Sequence, residues 1–151
     1  MQVKVTAEPF DPWFEARAYQ EAAGQMAGKF GALSLFVGSM RDFNAGDQVA
    51  GMTLEHYPGM TEKALENIVR EAAERWPVLD ALVVHRVGEI RPADPIVLVA
   101  VWTSHRGDAF DASRHIMEAL KSKAPFWKKE RLQAEGERWV AENTDGYLKS
   151  E

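Results

Sequence analysis

The sequence predicts a single α+β domain built on a mixed sheet with two long helices. Three observations carry this. The chain has 151 residues, 46% hydrophobic and 27% charged, enough to bury one independent core without a second domain. Strand-like and helical segments alternate irregularly, which favours α+β over a doubly wound fold. One segment, Ile96 to Ser104 (IVLVAVWTS), is apolar on both faces and belongs at the centre of a sheet.

Taken in order, Met1 to Ala7 sets Val3 and Val5 between polar residues, the alternation of a short strand. Asp11-Pro12 supplies an N-cap and a proline at the first helical position, so a helix is predicted to Ala23, with Gly24 ending it. Gly31 to Met40 is rich in β-formers and reads as a buried strand, and Arg41 to Asp47 as a turn-rich loop. Val49 to Tyr57 is a strand stopped by Pro58-Gly59. From Met60 to Trp76 the apolar residues Met60, Ala64, Leu65, Ile68, Val69, Ala72, Ala73 and Trp76 recur at helical spacing and mark the inward face. Leu79 to Val87 is a strand, and the glycine and prolines of residues 88–95 argue against a regular element there. A second long helix is expected from near Asp108 to just before Pro125, carrying Phe110, Ile116, Met117 and Leu120 inward. Phe126 to Leu132 reads as extended, Glu137 to Ala141 as a last short element, and the polar tail from Asn143 as frayed.

Composition removes several classes of function. With no cysteine, disulfides, cysteine nucleophiles and cysteine–zinc sites are excluded, so sulfur chemistry would need sulfur from another molecule. A pI near 5.4 argues against nucleic-acid binding. No apolar run reaches membrane-spanning length and no leader precedes the first strand, so a cytoplasmic location is expected. His56, His85 and His115 share no metal-ligand spacing, and no metal site is expected.

Against this acidic background one segment stands out. Lys121 to Arg131 (KSKAPFWKKER) carries +4 in a chain whose net charge is −5. A cationic island interrupted by Pro125-Phe126-Trp127 points to a local anion site. A second anion-attracting feature is Ser104 to Asp108, where His105 and Arg106 stand at the start of a helix. Each residue also has a plainer role. A lysine at a helix C-terminus compensates the dipole, His105 can satisfy a carbonyl, Arg106 can pair with Asp108 or Asp111, and Trp127 can be a core anchor. In an extended segment Lys128 and Lys129 point to opposite faces, so only one can share a face with Phe126 and Glu130.

These motifs together closely resemble the large, catalytic subunit of molybdopterin synthase. The match runs through Phe36-Val37-Gly38 followed by Arg41-Asp42, Leu54 to Thr61 (LEHYPGMT), His105-Arg106, Lys121 to Glu130 with its APFWK core, and Gly136 to Val140 (GERWV). They fall in one collinear order between residues 30 and 141.

The resemblance implies an α/β-hammerhead fold over residues 1–142, followed by a polar tail over 143–151. It implies a sulfurtransferase that converts cyclic pyranopterin monophosphate into molybdopterin, for molybdenum cofactor biosynthesis. The sulfur would come as a thiocarboxylate on the C-terminal glycine of a small ubiquitin-like partner, and the large subunit would form a homodimer inside a heterotetramer. Lys121 and Lys128 are the implied catalytic residues. Ser39, Met40, Arg41, His105, Arg106, Lys121, Lys128, Lys129 and Glu130 are the implied substrate contacts, and no metal or cofactor is implied. Departures from the family pattern fall at Ser39-Met40, at Trp102, in an extra residue between Arg131 and Gly136, and at Asn143, where a basic residue often reaches the neighbouring subunit's site. The alternative readings are a non-catalytic module that holds a ubiquitin-like or acidic tail, and a structural dimer that binds phosphorylated metabolites.

Overall fold

The computed structural model describes residues 1–147; positions 148–151 of the expected tail lie outside the described residues. In chain order the elements are β1 (Gln2–Thr6), α1 (Pro12–Ala22), a short 3-10 turn (Gly24–Met26), β2 (Ala32–Ser39), β3 (Phe43–Asn44), β4 (Asp47–His56), α2 (Met60–Arg75), β5 (Val78–Arg86), β6 (Gly88–Ile90), β7 (Pro95–Thr103), α3 (Arg106–Lys123), β8 (Phe126–Leu132) and β9 (Glu137–Val140). The expected mixed sheet is present, ordered β1-β5-β7-β2, with β1 parallel to β5 and the other pairs antiparallel. A second, antiparallel sheet runs β3-β4-β8-β9, with β6 also on β4.

The two apolar faces of β7 explain its central place. Val97, Val99 and Val101 pack under α2 and α3 against Leu65, Ile68, Ala112 and Ile116, while Leu98, Ala100 and Trp102 face Ala16 of α1 and Met26 of the 3-10 turn. Two-residue alternation thus buries both faces of one strand. The unusual Trp102 is wholly buried because α1 is built around it: Tyr19 packs on its ring at 5.5 Å and Gln20 Oε1 accepts from the indole nitrogen at 2.9 Å. Helix α1 starts where the sequence places it, the Asp11 carboxylate accepting from the backbone nitrogens of Trp13 and Phe14. A smaller third core of Met40, Val49, Met52, Leu54 and Ile90 lies on the second sheet.

Three expectations are corrected. The loop at Arg41 to Asp47 is a tight hairpin: Asn44 pairs with Asp47, and Ala45 and Gly46 between them have φ of +50° and +84°. Residues 88–95 contain β6, held as a strand because Met52 to Leu54 of β4 offers it a ladder. Helix α3 begins at Arg106 with His105 at its N-cap position, and two residues expected on inward faces point to solvent instead: Phe110 of α3 is 64% exposed and Met60, at the first turn of α2, is 61% exposed. The start of the expected tail is also engaged: the Asn143 side chain donates to the Lys121 carbonyl, and Arg114 donates to the Tyr147 hydroxyl at 2.6 Å. Among the described residues no helix is long and apolar enough to cross a membrane.

Candidate functional site

Local sequence places the cationic segment in two elements. Pro125 disfavours helical backbone at Ala124, which turns to φ −79°, ψ 133° and ends α3 just after Lys121 and Lys123. The chain re-enters as β8, antiparallel to β4, with Leu54 opposite Lys128 and Met52 opposite Glu130. The turn between α3 and β8 is held by the LEHYPGMT segment. Thr61 is fully buried, and its hydroxyl accepts from the Tyr57 nitrogen at 3.0 Å and donates to the Pro125 carbonyl at 3.1 Å. Gly59 takes φ +83°, which a side chain would disfavour, and its nitrogen donates to the Glu62 carboxylate at 2.6 Å.

Strand alternation then sorts the segment. Phe126, Lys128 and Glu130 face inward; Trp127, Lys129 and Arg131 face the other way. Lys129 pairs with Glu137 at 2.6 Å and lies over the Trp139 ring, so it is the solvent-side lysine of the pair. Lys128 meets Lys121 in a cleft between the end of α3 and the second sheet. One half of the cleft is walled by Met52, Leu54, His85, Ile96 and Phe126. The other half is polar, lined by Ser39, Arg41, Asn44, Glu130 and Thr144; both halves share Met52, Ile96, Lys121 and Lys128, so they form one continuous site. A roomier depression beside Met1 and α2 gathers no cluster of cations and is not the site.

The electrostatics of the cleft are unusual for surface lysines. The Lys121 side chain is open to solvent at the mouth, yet protein atoms crowd its ammonium. That desolvation lowers its pKa, and the charges of Lys128 and Arg41 lower it further. Burial also lowers Lys128; Glu130 opposes the shift, while Arg41 and Arg138 add to it. Glu130 is only 3% exposed and is occupied on both oxygens, accepting from Asn44 Nδ2 at 2.8 Å and from Arg138 Nε at 3.0 Å, with Lys128 Nζ at 3.8 Å. It fixes Lys128 and cannot offer a free carboxylate to a ligand. Arg41 lies over the Phe43 ring at 4.9 Å, and Met40 is a buried core residue whose backbone pairs with the turn at Ala93-Asp94.

The structure therefore brings together Ser39, Met40, Arg41, Lys121, Lys128 and Glu130, and leaves Lys129 outside. His105 and Arg106 are also elsewhere. They stand at the far end of α3, about 22 Å from Lys121 by helical rise, and β8 joins β4 instead of folding back along the helix. Residues that sequence reasoning passed over include His85 on the cleft floor, Asn44, which donates to Glu130, and Arg138, which neutralises it. Only the hairpin at 44–47 and the pairing of Glu130 with Arg138 across β8 and β9 would have signalled the last two.

Comparison with known proteins agrees with this geometry. The family model described as MoaE protein matches residues 5–123. A relative from Ralstonia nicotianae, named molybdopterin synthase catalytic subunit, is 54% identical over 138 residues, covering 91% of this chain and 76% of its own. The solved MoaE protein from Burkholderia ambifaria is 49% identical with a TM-score of 0.78, over 96% of this chain and 92% of that one. The crystal structure of molybdopterin synthase from Staphylococcus aureus is 32% identical with a TM-score of 0.81, over 91% and 96%. The chain belongs to the MoaE protein family.

Proposed function

We propose that the cleft transfers sulfur to cyclic pyranopterin monophosphate, forming the dithiolene of molybdopterin. The sulfur arrives as the C-terminal thiocarboxylate of a small ubiquitin-like partner ending in Gly-Gly. In each transfer the sulfur bonds to a side-chain carbon of the pyranopterin in place of an oxygen, which leaves as the phosphate oxygen of the opened cyclic ester at one carbon and as water at the other; water then adds to the acyl carbon, and the carbon–sulfur bond of the thiocarboxylate breaks to leave a carboxylate. The reaction is assigned to the cytoplasm.

The observation that carries this reading is the meeting of Lys121, Lys128 and Arg41 at one cleft whose one lining carboxylate among the described residues, Glu130, is already engaged by Asn44 and Arg138. Two anionic reactants repel each other, and fixed cations in a partly dry site offset that repulsion without reorganising. The depressed pKa of both lysines brings proton transfer nearer neutral pH than for a free lysine, so either can serve as an acid–base group while the other holds charge. The half of the cleft walled by Met52, Leu54 and Phe126 suits a tail without side chains. Ser39, Arg41 and Thr144 in the polar half suit the phosphate-bearing pterin.

His105 and Arg106 cannot reach this cleft within one protomer, so any contact they make with its substrate would have to come from a second copy of the chain in a homodimer. The Asn143 side chain holds the last turn of its own α3, donating to the Lys121 carbonyl.

The test is to incubate the purified chain with thiocarboxylated partner and the pyranopterin, and follow dithiolene formation. Lys121→Ala and Lys128→Ala are expected to abolish turnover with thermal melts near wild type. Wild-type rates in both variants would refute the assignment. Tail binding without product would favour the non-catalytic module.

A further inference from the structure

Arg138, the arginine of the GERWV motif, stands on β9 beside the polar half of the cleft without walling it. Its guanidinium binds three separate groups with its three nitrogens. Nε donates to Glu130 Oε2 of β8 at 3.0 Å, Nη1 to Asp47 Oδ2 at the start of β4 at 2.7 Å, and Nη2 to the Asn44 carbonyl of β3 at 3.0 Å. The Asn44 side chain returns to Glu130, donating to Oε1 at 2.8 Å. A closed ring of bonds therefore joins β9, β8 and the β3–β4 hairpin.

Each side of this ring carries a cation of the cleft. Arg41 lies two residues before β3 and over the Phe43 ring, while Lys128 Nζ is 3.8 Å from Glu130 on the same face of β8. With only two residues, β3 gives a weak ladder, so side-chain ties decide where the hairpin sits. A planar guanidinium fork can hold three oxygens at once, which a single ammonium cannot. Lys128 faces charges from every neighbouring element: Lys121 of α3, Arg41 beyond β2, Glu130 of its own strand and Arg138 of β9.

We propose that Arg138 is a positioning residue that sets the spacing of Arg41 and Lys128: by tying the β3–β4 hairpin to Glu130, it holds Arg41 against the phosphate-bearing pterin at a fixed reach from Lys128. It also shares the charge of Glu130, which would otherwise draw the Lys128 ammonium more strongly. Without Arg138, a repelling charge is gone and the carboxylate is left to Lys128 and Asn44, so both changes favour the protonated lysine. The consequence for catalysis rests on the sulfur-transfer reading; the link between hairpin and strand does not.

Two variants of the whole protein test this. Arg138→Met removes the charge and all three bonds, whereas Arg138→Lys keeps the charge but not the fork. Amide hydrogen exchange at residues 43–48 should quicken in both, and carbon-13 titration of the lysine ε-carbons should show the Lys128 pKa raised in Arg138→Met and close to wild type in Arg138→Lys. Unchanged exchange in both variants, or an unmoved Lys128 in Arg138→Met, overturns the proposal. In the sulfur-transfer assay both variants should raise KM for the pyranopterin about tenfold, the size of one lost charge-assisted contact, and by more than they lower kcat. In Arg138→Met the limb of the pH profile set by Lys128 should move to higher pH. A wild-type KM in Arg138→Lys overturns the assignment, because charge alone would then suffice. Should the methionine variant not fold, the lysine variant decides the matter by its exchange and its KM. If the wild-type chain transfers no sulfur, the functional reading fails, and exchange and titration alone decide the link.

Discussion

Replacing Thr61 with valine tests how the LEHYPGMT segment serves the cleft. Valine keeps the shape of threonine and removes only the hydroxyl, so the change leaves packing nearly intact. What is lost is one acceptor for the Tyr57 nitrogen and one donor to the Pro125 carbonyl, at 3.0 and 3.1 Å, from a residue with no solvent exposure. Two buried backbone groups losing a partner cost about 2 to 3 kcal/mol together, since each retains some access to water at the turn. For a domain of this length that corresponds to a fall in Tm of roughly 5–10 °C. Thr61→Ser keeps the hydroxyl and loses a methyl, and should cost less than the valine despite its smaller volume. Because the Pro125 carbonyl sits one residue before β8, the valine should also loosen the placement of Lys128 and lower the rate of sulfur transfer below the melt. Thermal melts of both variants, with rates measured well under Tm, decide the matter. A valine variant as stable as wild type, or a serine variant less stable than the valine, would refute the argument that the hydroxyl holds the turn.

Further expectations follow from the cleft. His85 has a folded-state pKa of about 4 against 6.5 for a free imidazole, so on acidification the unfolded chain takes up a proton first and stability falls from pH 6.5 to 4. Relative to His85→Phe, wild type should lose roughly 3 kcal/mol between pH 7 and pH 4 in denaturant melts; parallel curves would contradict the burial argument. Lys121 has a lowered folded pKa, so its charge is a cost to the fold at neutral pH that is relieved as pH rises toward the free-lysine value. Lys121→Met should therefore have a higher Tm than wild type at pH 7, with the gap closing toward pH 10.5, even though turnover is lost. Glu130→Gln places an amide where Asn44, Arg138 and Lys128 expect a carboxylate, and should lower kcat/KM on the order of tenfold, equivalent to about 1.4 kcal/mol, with Lys128 titrating lower still. An unchanged rate would show that Glu130 does not hold Lys128.

How much of this was legible in the sequence depends on how local the cause is. Helix α1 follows from Asp11-Pro12, α2 from the spacing of Leu65, Ile68, Val69 and Ala72, and β7 from its unbroken apolar run, because capping and face periodicity act within one element. The separation of Lys128 from Lys129 follows from strand alternation alone. The short β3 and β6 were not legible, since strands of two and three residues exist through the ladder that β4 provides.

The sequence by itself determined the α+β class, the order of its main elements and the cationic segment that marks the site, along with the family motifs that run through it. Only the tertiary structure decided which cations share the cleft: Arg41, Lys121 and Lys128 together, Lys129 outside, and His105 with Arg106 at the other end of α3. Only the fold, too, put His85 on the floor and gave Glu130 to Asn44 and Arg138. The reason is physical. Capping and periodicity depend on neighbours a few residues apart, whereas burial, charge crowding and hydrogen-bond partnership depend on groups far apart in sequence, which only packing brings into contact.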